Sequence, residues 1–456
     1  MKRFIAAILV LLLLLGGTPS VSANSAQTYW EGVDRAGVII TDGDCPIVVE
    51  HELLAFDLQE FPDYHRYTED YPNKVTAQYT FHNPSDMAVT AKLFFPFGDK
   101  NWYYDPDNTL AEQYDILIDG EPVEKKIRHT LSYSSFSLEQ DLALISDSYA
   151  EDAFFSPDTP VTIYKYSVSG VDTQTYKRAT VSFEIPEGVG NYIYYLPDFN
   201  LASLQEDGDM RVASYITQSG RPSFLIYVFG DAPDTKPEFK FYQDGSTKNN
   251  ERIDGTVSRV YTKTTTFEEF VLESWYEELG VSQTDWYNAT IADLRAGQKN
   301  AAYPVMFRNS YRMEDYLMQW YEYEITVGPG ERIVNTVTAP IYPSINLNYT
   351  PDIYGYTYLL SPAKTWKSFG TLEIVVNTPY YITESSLDGF EKTEDGYKLT
   401  LPGLPDSELT FTLCSSENPE APKTNFFYVF IYFFAMIFSY IGYLFESLFE
   451  AIGSIF

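Results

Sequence analysis

The stretch from Lys74 to Phe97, KVTAQYTFHNPSDMAVTAKLFFPF, sets the reading of the whole chain. Val75, Ala77, Tyr79 and Phe81 alternate with polar neighbours, and Val89, Ala91, Leu93 and Phe95 do so again. Period-two alternation marks a strand with one buried face. Between the two runs, Asn83-Pro84-Ser85-Asp86 supplies turn chemistry, and Pro96 removes a ladder donor. The pattern predicts a β-hairpin within an antiparallel sheet.

Working outward, Ile47–Phe56 reads as a strand, and Tyr114, Ile116 and Ile118 alternate into the turn Asp119-Gly120 before Val123–His129. Ser137–Tyr149 predicts a short helix with Leu138, Leu142 and Ile145 on one face. Strands resume at Val161–Val168, Ala179–Ile185, Tyr192–Leu196 and Ser223–Phe229. Thr266-x-x-Glu269 is a capping box, Phe267, Phe270, Val271 and Trp275 share a face, and Gly280 closes that helix. Thr284 opens a second helix that ends at Gly297, so an αα-hairpin interrupts the strands. Tyr321, Tyr323, Ile325 and Val327 then alternate into Gly328-Pro329-Gly330, with a return strand over Arg332–Thr338. Leu372/Ile374/Val376, Tyr397/Leu399/Leu401 and Leu409/Phe411/Leu413 complete the set. With 39 Tyr and 31 Phe, the composition suits half-buried pleated surfaces.

The two ends of the chain differ from this interior. Phe426–Phe445 holds no charge and is long enough, at ~1.5 Å per residue, to cross a ~30 Å hydrocarbon layer. Lys2, Arg3, the apolar run Phe4–Leu15 and Val21-Ser22-Ala23 form a secretory signal peptide with cleavage after Ala23. The expected organisation is a signal peptide (1–23), a first β-sandwich (24–170), a continuing β unit (171–265), the αα-hairpin (266–297) and a last β unit (298–416). A linker (417–425), a transmembrane helix (426–445) and an amphipathic tail (446–456) follow. The fold class is mainly β, an antiparallel β-sandwich ectodomain of two β units on one C-terminal membrane helix. Ala435, Ser439 and Gly442 place small residues along that helix, which suits either packing against a partner helix or plain lipid contact.

Tyr79-Thr80-Phe81-His82-Asn83, Leu93-Phe94-Phe95-Pro96-Phe97 and Ile118-Asp119-Gly120 together resemble the first strands of vault/inter-alpha-trypsin-type (VIT) β-sandwich domains. They are also similar to a group of uncharacterised exported bacterial proteins, in which a later element is matched here by Tyr358, Leu360, Trp366, Gly370, Leu372 and Ile374. The resemblance implies a VIT-like N-terminal sandwich and a bacterial cell surface, and it is nearly silent on function. VIT proteins usually add a domain with a metal-binding Asp-x-Ser-x-Ser. The nearest approach, Asp244-Gly245-Ser246-Thr247-Lys248, ends in lysine, which removes adhesion through that metal.

Lys plus Arg number 31 against 64 Asp plus Glu, a net charge of −33. Such a field disfavours nucleic acid and anionic lipid as ligands, and it also keeps exported proteins soluble. Cys45 and Cys414 sit near opposite ends of the chain; export permits a disulfide between them, and two separate thiols are the alternative. Asp42 and Asp44, Asp105 and Asp107, and Asp207 and Asp209 offer oxygen ligands for calcium, although the same residue types build turns.

His51-Glu52-Leu53-Leu54-Ala55 begins like a zinc-protease helix and lacks the second histidine. The four histidines, His51, His65, His82 and His129, accompany no nucleophile elbow and no P-loop. No cofactor is expected. The sequence thus points to a non-enzymatic binding, interaction or structural module held at the cell membrane by a single pass, with the ectodomain outside. Its expected partners are the membrane, a protein met through the transmembrane helix, and cell-wall glycan. A glycan-active hydrolase, which needs two carboxylates, and an accessory subunit of a membrane complex are the alternatives.

Overall fold

The computed structural model describes residues 45–61, 73–99, 114–131, 145–298, 303–308 and 312–420, with short breaks at 153, 188–190, 207, 217–222, 234–235 and 247, together with strand residues 35–36 and 39–40. Of the described residues, strands take up 51% and helices 11%, so the fold is mainly β. In chain order the principal elements begin with β1 (Val48–Asp57), β2 (Lys74–His82), β3 (Val89–Asp99), β4 (Asp115–Ile118) and β5 (Lys126–Leu131). Next come β6 (Pro160–Ser169), β7 (Ala179–Ile185), β8 (Tyr192–Leu196), β9 (Met210–Ile216), β10 (Ser223–Gly230) and β11 (Thr256–Thr266). Helices α1 (Phe267–Leu272) and α2 (Gln283–Ala296) follow, then β12 (Val305–Phe307). The last group is β13 (Leu317–Val327), β14 (Arg332–Pro340), β15 (Ile353–Leu359), β16 (Phe369–Asn377), β17 (Tyr381–Ser385), β18 (Gly396–Leu401) and β19 (Leu409–Cys414).

Packing gathers these strands around two bodies. In the outer one, a long sheet runs β18-β16-β1-β2-β14-β4, faced by β3-β13-β5 and by β15-β19-β17. A single core fills the space between them, built from alternate residues such as Leu54, Phe56, Tyr79 and Phe81 on one side and Leu93, Tyr323 and Phe411 on the other. The six residues Tyr358, Leu360, Trp366, Gly370, Leu372 and Ile374 are placed here by packing. Tyr358, Leu360, Trp366, Leu372 and Ile374 are all buried, and Trp366 stacks on Phe81 at 4.6 Å. A Cβ on Gly370 would lie 2.0 Å from the Glu50 carbonyl oxygen, so only glycine fits.

The predicted hairpin is corrected. β2 pairs with β1 and β14, whereas β3 pairs with β13, so the turn after His82 carries the chain from one sheet to the facing one. The Gly328-Pro329-Gly330 turn does the same between β13 and β14. Alternation reports a buried face but not which strand lies alongside, so both arrangements share one sequence pattern. The two arches stack, and Asn83 fastens them. Fully buried, it donates to the carbonyls of Met87 (2.7 Å), Val327 (2.9 Å) and Gly328 (3.1 Å).

The inner body spans the chain between β5 and β13. Its central sheet, β11-β6-β10-β8-β12, is covered on one face by β9 and β7 and on the other by α1 and α2. Leu131 of β5 lies opposite Leu317 of β13, so the chain leaves and rejoins the outer body at neighbouring positions. Arg128 and Asp285 tie the two bodies together. Arg128 donates to Asp285 at 2.9 Å and to Glu322, and the Asp285 carboxylate also accepts the His129 backbone N–H at 3.0 Å.

The helices follow the sequence in part. Thr266 caps α1 with the predicted capping box, but α1 stops at Leu272, and Gly280 (φ +63°) closes a separate 3-10 turn over Glu277–Leu279. α2 begins before Thr284 because Ser282 is its cap, accepting from the Asp285 N–H at 3.0 Å. Of the helix predicted over Ser137–Tyr149, residues 145–149 are described and not helical. There the Ser146 hydroxyl accepts from the Ser148 N–H, a local bond that competes with helix.

Cys45 and Cys414 are buried, and no disulfide joins them. Cys45 precedes β1, at the end of the sandwich where Trp366 meets Phe81. Cys414 ends β19, beyond Phe411, whose ring meets Phe56 at the far end of β1. The length of β1 separates them, about 30 Å at ~3.3 Å per residue, against a ~7 Å limit for a bridge. The Phe426–Phe445 segment and the Ala23 cleavage position lie outside the described residues. Among the described residues, no helix is long and apolar enough to cross a membrane.

Candidate functional site

A cavity of about 580 Å³ opens in the inner body, between its central sheet, the two helices, Arg308 and residues 312–314. The sequence of β10, SFLIYVFG, foreshadows it. Phe224, Ile226 and Val228 face β7 and β9, while Leu225, Tyr227 and Phe229 face the helices, so both faces of this strand need cover. The short α1 covers Phe229 fully and leaves Leu225 and Tyr227 half-exposed at the cavity floor.

The aromatic wall is continuous. Tyr195 and Tyr227 approach to 5.6 Å, and Phe270 of α1 stands edge-on to Tyr227 at 5.4 Å. Trp286 of α2 closes the back and anchors the end of α1 by donating to the Val271 carbonyl at 3.3 Å. Burial pushes the Tyr195 hydroxyl up to about 12, with Arg308 pulling the other way, and Tyr227 is raised chiefly by burial as well. Both phenols stay neutral near pH 7 and can donate a hydrogen bond to a ligand.

Charges ring the mouth. Arg308 is exposed and has no hydrogen-bond or ion-pair partner among the described residues, whereas Arg312 pairs with Glu314 at 3.1 Å. Asp198 accepts the Leu225 backbone N–H at 2.9 Å, which fixes the loop after β8. Glu273 and Asp293 complete the acidic side. Flat ring faces below and paired donors and acceptors above can hold a hydroxylated ring, whose C–H face packs on the aromatics and whose hydroxyls meet the rim.

None of these residues was singled out as a site residue by the sequence, which read Phe270 only as part of a helix face, since the site is assembled from β8, β10, both helices and residues before β13. The available signal is the double-sided apolar character of β10. The residues that the sequence did single out do not converge. Asp42, Asp44, Asp105, Asp107, Asp207, His65, Ala435, Ser439 and Gly442 lie outside the described residues. The Asp209 carbonyl accepts the Gln205 N–H at 2.8 Å in the turn before β9, where Gly208 takes φ +94°. His82 pairs with Glu50 at 2.9 Å, and His51 lies 4.0 Å from Glu373. Among the described residues, no group of three or more His, Cys, Asp or Glu side chains could hold a metal ion.

No known family model matches the chain, and no curated protein does so significantly. Among solved structures, it is similar to a protein from Legionella pneumophila that is provisionally described as nutrient-binding. The identity is 12% and the TM-score 0.28, over 84% of this chain and 71% of the other. A likeness of that size fixes neither fold nor function.

Proposed function

We propose that this chain is a non-enzymatic binding protein of the cell surface, and that its ligand lodges in the cavity over Tyr195, Tyr227 and Phe270. The observation that carries the reading is the aromatic floor left uncovered by a short helix and rimmed by the exposed guanidinium of Arg308. In this reading the outer, VIT-like sandwich is the scaffold, and residues 426–445 hold the protein at the membrane. Retention in the membrane fraction after high-salt and carbonate washing tests that anchor.

Intrinsic fluorescence of the purified protein, with Trp286 in the cavity wall, reports binding across a panel of mono- and oligosaccharides. Tyr227→Ala is expected to weaken the best ligand by at least about tenfold, the worth of one lost stacking contact. Binding that survives both Tyr227→Ala and Phe270→Ala unchanged defeats the cavity as the site. The four carboxylates of the rim favour one second reading, a glycan hydrolase; release of reducing ends on incubation would select it.

A further inference from the structure

We infer that the cavity is one end of a longer track, and that the ligand is an anionic glycan chain running from the cavity across the sheet to the edge strand β11. The inference rests on the cavity reading and adds the ligand's length and charge. The register places the track. Leu225, on the cavity floor, lies opposite Lys165 of β6, which lies opposite Tyr261 of β11. Two residues along, on the same face, Tyr195 and Tyr227 are followed by Ile163 and then Lys263. Directly paired residues point to the same face, so Lys165, Tyr261 and Lys263 share the side of the sheet on which the cavity opens. The Lys165 ammonium sits 5.9 Å above the Tyr261 ring, which agrees with that placement.

Neither helix covers this shelf. Tyr261 is 45% exposed, a large flat ring left in solvent, and β11 pairs along one side only. Two strand spacings of ~4.8 Å separate β11 from β10 on the cavity floor, so the track is about 10 Å long beyond the cavity. Its charge changes along that length. Carboxylates gather at the cavity end, while Lys165 and Lys263 form no ion pair among the described residues and Glu269 is the one carboxylate shown to feel the charge of Lys263. In a chain with 64 acidic and 31 basic residues, two such cations beside an open tyrosine form a place for negative groups. A chain that seats an uncharged ring in the cavity and carries carboxylate or phosphate on later residues matches both ends.

The test is calorimetry on the full chain in detergent, with neutral gluco-oligosaccharides, galacturonate oligomers and sulfated heparin-derived oligomers, each from monomer upward. Phosphate-bearing polyol chains form a further arm that separates phosphate from carboxylate. Affinity is expected to rise with length for at least one anionic series only, to fall as salt is raised, and to drop about tenfold in Lys165→Glu/Lys263→Glu and in Tyr261→Ala. The same variants should bind the shortest ligand as the wild type does, which shows that they fold. Equal affinity for long neutral and long anionic chains overturns the track and leaves the cavity reading standing. No binding by any series overturns both.

Discussion

At the turn after β2, one side-chain amide closes three carbonyls, those of Met87, Val327 and Gly328, drawn from both arches. Asn83→Ala strips the buried Val327 carbonyl of this donor and frees the other two to meet water, so the urea midpoint should fall by an amount equivalent to about 2 kcal/mol at unchanged slope. A shift under about 0.5 kcal/mol would show that water replaces the amide. Glu52 is the opposite case. It points into the outer core opposite Tyr79, and neither oxygen has a hydrogen bond of ordinary geometry among the described residues. Burial pushes its carboxyl up to about 7, with the Tyr79 hydroxyl pulling against the rise. Because the folded value stands above the unfolded one, stability is fully present below about pH 4.5 and declines as pH rises through about 7. Above that window the cost is about 3 kcal/mol. Glu52→Gln should flatten this slope in thermal melts taken across the window, and an unchanged slope would place the titration elsewhere.

Among the elements, the strands were the most legible. Lys74–His82 falls where its alternation puts it, because a half-buried strand writes its face directly into its residues, and Ala179–Ile185 and Tyr192–Leu196 are strands as expected. Pairing was not legible, since the Asn83 and Gly328 turns have the chemistry of hairpins and the geometry of arches. What decides between them is the distant partner strand, which no local window contains. The second helix shows a finer miss. Ser282 and Thr284 are both acceptable caps by type, and the structure uses Ser282. Ser282→Ala should therefore cost about 1 kcal/mol in thermal unfolding, while Thr284→Ala stays within a few tenths. The reverse order would move the start of the helix to Thr284. The cavity was illegible for a related reason: it exists because α1 is short, and the capping box announces where a helix starts, not where it stops.

At the scale of the molecule, the two bodies meet through an ion network. Arg128 and Asp285 are buried, Glu322 joins them, and Lys92 and Asp147 extend the set to the surface. Asp285 is also in the first turn of α2, where the helix end favours a carboxylate. Removing one partner of a buried pair strands the other, so Asp285→Ala should destabilise by about 4 kcal/mol. Calorimetry should then resolve two transitions where the wild type gives one. A single transition would mean that apolar contacts around Leu131 and Leu317 couple the bodies without the ions.

The neighbouring positions of Leu131 and Leu317 also impose an order in time. β1 to β5 are synthesised first, yet the core that covers them needs β13 to β19. At ~5–20 residues per second the ribosome takes on the order of ten seconds or more to reach those strands. The sheet and helices of the inner body, down to β12, are synthesised within that interval. The first-made strands thus wait longest for their cover, with the core around Phe56, Tyr79 and Phe95 incomplete until the last third of the chain has been made.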